Sequence, residues 1–172
     1  MLTLSQSGVN YKGLNNPPQV LFNSVMNADN SAAGTLAEQC GAKLVPGTSY
    51  TTVDEVAKFY GVRETYLTSL LYRSGISNIQ TPGDYMRISP NSFMRNFDVR
   101  KTEAKVNPED ERLLDVSQDG FSISIQRQGV LHLLSARTVL AVAVLLSQSR
   151  YGGKSKNTTK VMRYLVDSDF NN

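Results

Sequence analysis

The 172-residue sequence predicts a mainly α fold with a small β-hairpin, and three observations carry that expectation. Apolar residues recur at helical spacing over 53–60, 63–73, 136–149 and 158–166. Residues 121–125 alternate with period two, and Gln128-Gly129 turns that run into 130–134 as a hairpin. Hydrophobic residues make up 40% of the chain and charged residues 19%, a globular composition, and no apolar run is long enough to span a bilayer.

The first 49 residues are rich in Asn, Ser and Gly, with Asn15-Asn16-Pro17-Pro18 and Pro46-Gly47 as breakers. Two ordered pieces stand out in them: residues 20–26, and a short helix over 31–39 stopped by Gly41. From Thr51 the helical pattern sharpens. Thr52 is placed to cap a helix opening Val53-Asp54-Glu55, whose two carboxylates sit on the positive helix end. Val53, Val56, Ala57 and Tyr60 then share one face. Gly61 is free to adopt the left-handed conformation that reverses the chain. Arg63-Glu64-Thr65 restarts a helix with Leu67, Leu70 and Leu71 inward, ending near Ser74-Gly75.

Signals between 76 and 118 are mixed. Thr81-Pro82-Gly83-Asp84 reads as a turn, 85–88 is compatible with a strand, and Ser89-Pro90 with the start of a short helix through Phe97. Asn107-Pro108-Glu109-Asp110-Glu111 is either a helical turn or an acidic loop. After the hairpin, Ser135 caps a helix over 136–149 whose run Leu140-Ala-Val-Ala-Val-Leu-Leu146 is too apolar for one buried stripe. Tyr151-Gly152-Gly153 ends it, Lys154-Ser155-Lys156-Asn157 forms a basic loop, and Thr158 starts a last helix. Its packed side holds Val161, Met162, Leu165 and Val166. The chain thus divides into an N-terminal arm or cover (1–49), a helical unit with the hairpin (50–134) and a C-terminal helical segment (135–172). The last two are expected to pack as one globular unit.

A single cysteine, Cys40, cannot form an internal disulfide, and one cysteine with one histidine does not build the usual zinc clusters. Met1-Leu-Thr-Leu-Ser-Gln lacks the basic and apolar regions of a signal peptide, so a cytoplasmic location is expected. No catalytic constellation is present. His132 lies between leucines on a strand, and Gly152-Gly153-Lys154-Ser155 lacks the spacing and preceding strand of a phosphate loop. Glu109-Asp110-Glu111 reads as a solvated loop. No cofactor, metal or enzymatic activity is expected. The net charge of +3 is small, but it is unevenly spread: 0 over 1–49, +2 over 50–105, −4 over 106–122 and +5 over 123–172. The basic end is the C-terminal one.

The stretch from Val53 to Tyr72 has the spacing of a helix-turn-helix. Ala57 supplies the small residue where two helices cross, Gly61 the turn, and Val56, Val62, Leu67 and Leu70 the wedge between the helices and the rest of the domain. This stretch of about twenty residues resembles the DNA-binding unit of small bacterial and phage regulators, including repressors and excisionase-like proteins. The run from Gly129 to Ser149, followed by Val161-Met-Arg-Tyr-Leu165, is similar to a segment of phage-encoded regulators and antirepressors. In that segment a strand leads into an apolar helix and then a short basic helix. The two-glycine insertion at 152–153 departs from the tighter join of that pattern. The resemblance implies a helix-turn-helix or winged-helix-like domain in a regulator encoded by a phage or mobile element.

On that reading the 63–73 helix reads double-stranded DNA through Arg63, Glu64, Thr65, Thr68, Ser69, Tyr72 and Arg73, residues mostly suited to base edges and phosphates. Arg127 would sit on a wing at the hairpin tip, and Lys154, Lys156 and Lys160, with Arg163, would add phosphate attraction. Glu64 fits only as an acceptor from cytosine or as a partner of Arg63 or Lys58. A homodimer is expected, paired mainly through the apolar helix 136–149. The alternative is a protein-binding antirepressor or inhibitor that reuses the same fold on a regulatory partner; a third is a nucleoid-packing role.

Overall fold

The structure, a computed structural model, describes residues 18–45, 48–76, 83–90, 92–93, 103–118 and 121–168. Helix α1 (Pro18–Met26) opens on a proline, whose missing N–H is no loss in a first turn, and buries Leu21 and Val25. Helix α2 (Asn30–Gln39) buries Ala33, Gly34 and Ala37. Strand β1 (Tyr50–Thr52) runs straight into α3 (Val53–Tyr60), where Thr52 accepts a hydrogen bond from the Glu55 N–H at 3.1 Å. Gly61 stops α3 in the left-handed conformation (φ 69°, ψ 34°), and α4 (Glu64–Arg73) follows.

The β structure exceeds the expected hairpin. Strand β2 (Tyr85–Ile88) is followed by β3 (Glu103–Val106), β4 (Leu113–Gln118), β5 (Phe121–Gln126) and β6 (Leu131–Ser135). Two three-stranded antiparallel sheets result, ordered β1-β6-β2 and β3-β4-β5. The expected hairpin of 121–134 is therefore corrected: β5 pairs with β4, and β6 pairs with β1 and β2. The burial of β6 gives the reason. Leu131 and Leu133 enter one apolar cluster with Val116 and Ile125, while Leu134, on the opposite face, enters the helical core. A strand covered on both faces and placed centrally needs partners at both edges, and the turn after β5 delivers it to a different sheet.

Ser135 caps α5 (Ala136–Ser147), accepting from the Thr138 N–H, and Ser155 caps α6 (Lys156–Val166) in the same way, two residues earlier than the expected start at Thr158. Helix α5 is the centre of the molecule: ten of its twelve residues are buried, and α1, α2 and α6 all pack on it. This removes the basis for a dimer through 136–149, since the chain's own helices cover that apolar surface. Residues 107–111 form a loop between β3 and β4, organised by Asn107, whose side-chain oxygen accepts from the Glu109 and Asp110 N–H groups. Thr81, Pro82, Asn91 and 94–97 of the expected turn and short helix lie outside the described residues. The chain is a mixed fold, helical around α5 with two small antiparallel sheets.

Candidate nucleic-acid interface

Helices α3 and α4 are joined by three residues. The Val62 N–H donates to the Ala57 carbonyl at 3.0 Å and closes the turn. Ala57 is buried at 4% exposure, so the small side chain does stand at a tight place. Leu67 and Leu71 anchor α4 in the core, and Leu70 packs against it half-buried. With those leucines inward, Arg63, Glu64, Thr65, Ser69, Tyr72 and Arg73 are exposed, and Tyr72 reaches 77%. Thr68 is half-buried instead, with its hydroxyl donating to the Thr65 carbonyl of its own helix.

Four of the exposed residues divide between two concavities. Arg63, Thr65 and Ser69 line an open groove of about 810 Å³ together with Tyr66, Arg150 and Tyr151. Glu64 lines a separate cavity of about 310 Å³, with Asp54, Lys58 and His132, against β5 and β6. There Lys58 pairs with Asp54 at 2.9 Å. Its pKa is raised by that hydrogen bond first and by the neighbouring carboxylates, Glu64 among them, against a small burial cost. Glu64 thus shares a cavity with Lys58, one of the two partners the sequence offers it, while the ion pair of Lys58 is with Asp54. His132 is hydrogen-bonded to Tyr85 Oη through Nδ1 at 2.6 Å. Burial and the Arg87 charge push its pKa down, with Glu64 opposing.

The outlying cations are scattered. Arg127 lies on the connection from β5 to β6, exposed, with one guanidinium nitrogen donating to the Glu111 carbonyl at 2.8 Å. It borders a concavity shared with Glu111 and Arg112. Lys154 is exposed in the loop between α5 and α6, and Lys156 is exposed at the first residue of α6. Lys160 is half-buried and close enough to Cys40, at the end of α2, for its charge to oppose the burial that raises the thiol pKa. Arg163 is exposed near the end of α6. Sequence reasoning placed none of these beside α4 by contact, and it missed Arg150 and Tyr151. A pair of glycines directly after them was the available signal, because paired glycines permit close approach of two backbones.

Among the described residues no group of three or more His, Cys, Asp or Glu side chains is placed to hold a metal ion, and no helix is long and apolar enough to cross a membrane. Comparison with known protein families, with curated proteins and with solved structures finds no match for this chain.

Proposed function

We propose that this protein is a sequence-specific DNA-binding regulator of the kind phages and mobile elements encode, with α4 as its reading helix. One observation carries the reading: α3, with Ala57 buried, is joined to α4 through left-handed Gly61, and the outer side of the second helix with its cap presents Arg63, Thr65, Ser69, Tyr72 and Arg73. These side chains have the hydrogen-bonding and stacking chemistry that base edges and phosphates accept. Sheet order supports the finer winged-helix reading. The helix pair lies between β1 and β2, and β6 returns between those two strands, so the β2-to-β6 connection, with β3, β4 and β5, occupies the place of a wing. Reading a full operator requires two such helices on successive major grooves, and a pair of chains on DNA supplies them without using α5.

Retention of the full chain on sheared genomic DNA over a salt series tests the reading. Affinity is expected to fall steeply with salt as phosphate contacts release counterions. Arg63→Ala and Ser69→Ala are expected to weaken specific binding more than nonspecific binding. No retention at low salt would leave the second reading, a module that binds a regulatory protein, for which the exposure of Tyr72 at the end of α4 is the favouring observation.

A further inference from the structure

The loop after α5 turns back onto α4 and the turn before it, and is held there at three points. Tyr66 Oη is hydrogen-bonded to Ser149 Oγ, and the Tyr66 and Tyr151 rings meet edge to face with centroids 5.7 Å apart. Gly152, at φ 84°, lies so near the α3–α4 turn that a Cβ would stand 2.8 Å from Val62 Cγ1. A Cβ at Gly153 would stand 2.7 Å from the Leu146 carbonyl oxygen. Neither position has room for a side chain: Gly152 is seated against the turn, and Gly153 against the end of α5. The loop is preorganised, and little ordering entropy remains to be lost when something binds there.

That seating puts Arg150 on the groove lined by Arg63, Thr65 and Ser69. The groove's lining includes two guanidinium groups and no carboxylate, whereas the cavity that Glu64 lines holds two carboxylates, Asp54 and Glu64, against the single ammonium of Lys58. The two concavities therefore differ in sign. We propose that the Arg150 loop is a further element of the DNA-binding surface. Arg150 contacts a phosphate of the strand running past the α3–α4 turn, and α4 reaches the bases beside it. A guanidinium suits that role because its fork matches phosphate oxygens and it stays charged at any working pH. This inference rests on the DNA-binding reading, and its test separates the two.

The probes are short duplexes of random sequence and sheared genomic DNA, titrated with the full chain at several salt concentrations. Arg150→Ala is expected to lose about fivefold in affinity on both, and to flatten the slope of log affinity against log salt by about one. Arg150→Lys is expected to keep the slope, and Lys43→Ala, at an exposed position after α2, to behave as the parent chain. Thermal melting of Arg150→Ala is expected to match the parent, because the side chain is exposed. If Arg63→Ala weakens binding while Arg150→Ala leaves affinity and slope unchanged, the Arg150 inference is overturned and the DNA reading stands. If the parent chain binds no duplex at any salt, both fall.

Discussion

Asp84 and Arg137 show how a charge is kept inside this fold. The Asp84 side chain is 7% exposed and Arg137 is 28% exposed, and they meet in a two-pronged pair, Nε to Oδ1 at 2.7 Å and Nη2 to Oδ2 at 3.1 Å. Ser135 donates to the same Oδ1, and Arg137 also donates to the Ala28 carbonyl, so one cluster ties the cap of α5 to the α1–α2 corner and the start of β2. Removing one partner strands the other. Arg137→Ala is expected to cost about 3 kcal/mol, read from the urea midpoint, and a loss under about 1 kcal/mol would mean that water reaches Asp84. His132 gives a pH dependence. Burial, then the Arg87 charge, holds its folded pKa below the ordinary 6.5, so the unfolded chain binds the proton more readily. Its contribution to stability is complete above 6.5 and is lost as pH falls from there towards the folded value. Melting temperature is therefore expected to drop on going from about pH 7.5 to about pH 5.5, and His132→Gln to flatten that drop. Asp110, held at about 2 by the Arg112 hydrogen bonds, loses its contribution only below 3.8, outside that window. A drop of equal size in the His132 variant would assign it to another group.

At the scale of elements, the α3–α4 crossing makes the sharpest claim. Ala57 is 4% exposed, and a leucine there must displace packed neighbours. Ala57→Leu is expected to lower stability by about 1–3 kcal/mol in thermal or urea unfolding; unchanged melting would show that the helices cross elsewhere. The two helices and the turn between them were legible from the sequence because their signals are local. The Thr52 cap reaches three residues, Gly61 acts on its own backbone, and the leucines of α4 repeat within one helix. Strand partners were not legible in the same way. The runs at 121–125 and 130–134 identified β5 and β6, but pairing depends on contacts such as Tyr85 with Leu134, far apart in sequence. Strand β4 gave little signal because its alternation is short: Leu114 and Val116 face the apolar cluster, and Asp115 between them is held by Asn107 and Ser124. Strand β1 is three residues long, too short for any period to show. The Arg150 loop was hidden for a related reason: its place is set by Gly152 against Val62, a contact that nothing local announces.

The whole molecule is organised around α5, and that decides whether a second chain can pair through it. Composition suggested that so apolar a helix needs a second chain to cover it. The cover instead comes from α1, α2 and α6 of the same chain, with Leu21, Val25, Ala33 and Ala37 from the first two in the same cluster as α5. Small residues make this possible, since Gly34 on α2 leaves a Cβ position 3.7 Å from the Ala136 Cβ. The two origins of burial differ in how they respond to concentration. A helix buried by its own chain is stabilised equally at any protein concentration, whereas a helix buried by a partner gains stability as concentration rises. Leu140 is 0% exposed in the middle of α5, and Leu140→Ala is expected to cost about 2–5 kcal/mol through lost burial and the cavity left behind. The urea midpoints of the parent and of Leu140→Ala are each expected to stay constant when protein concentration is raised about a hundredfold. A parent midpoint that climbs with concentration, and a climb abolished by Leu140→Ala, would return α5 to a subunit interface.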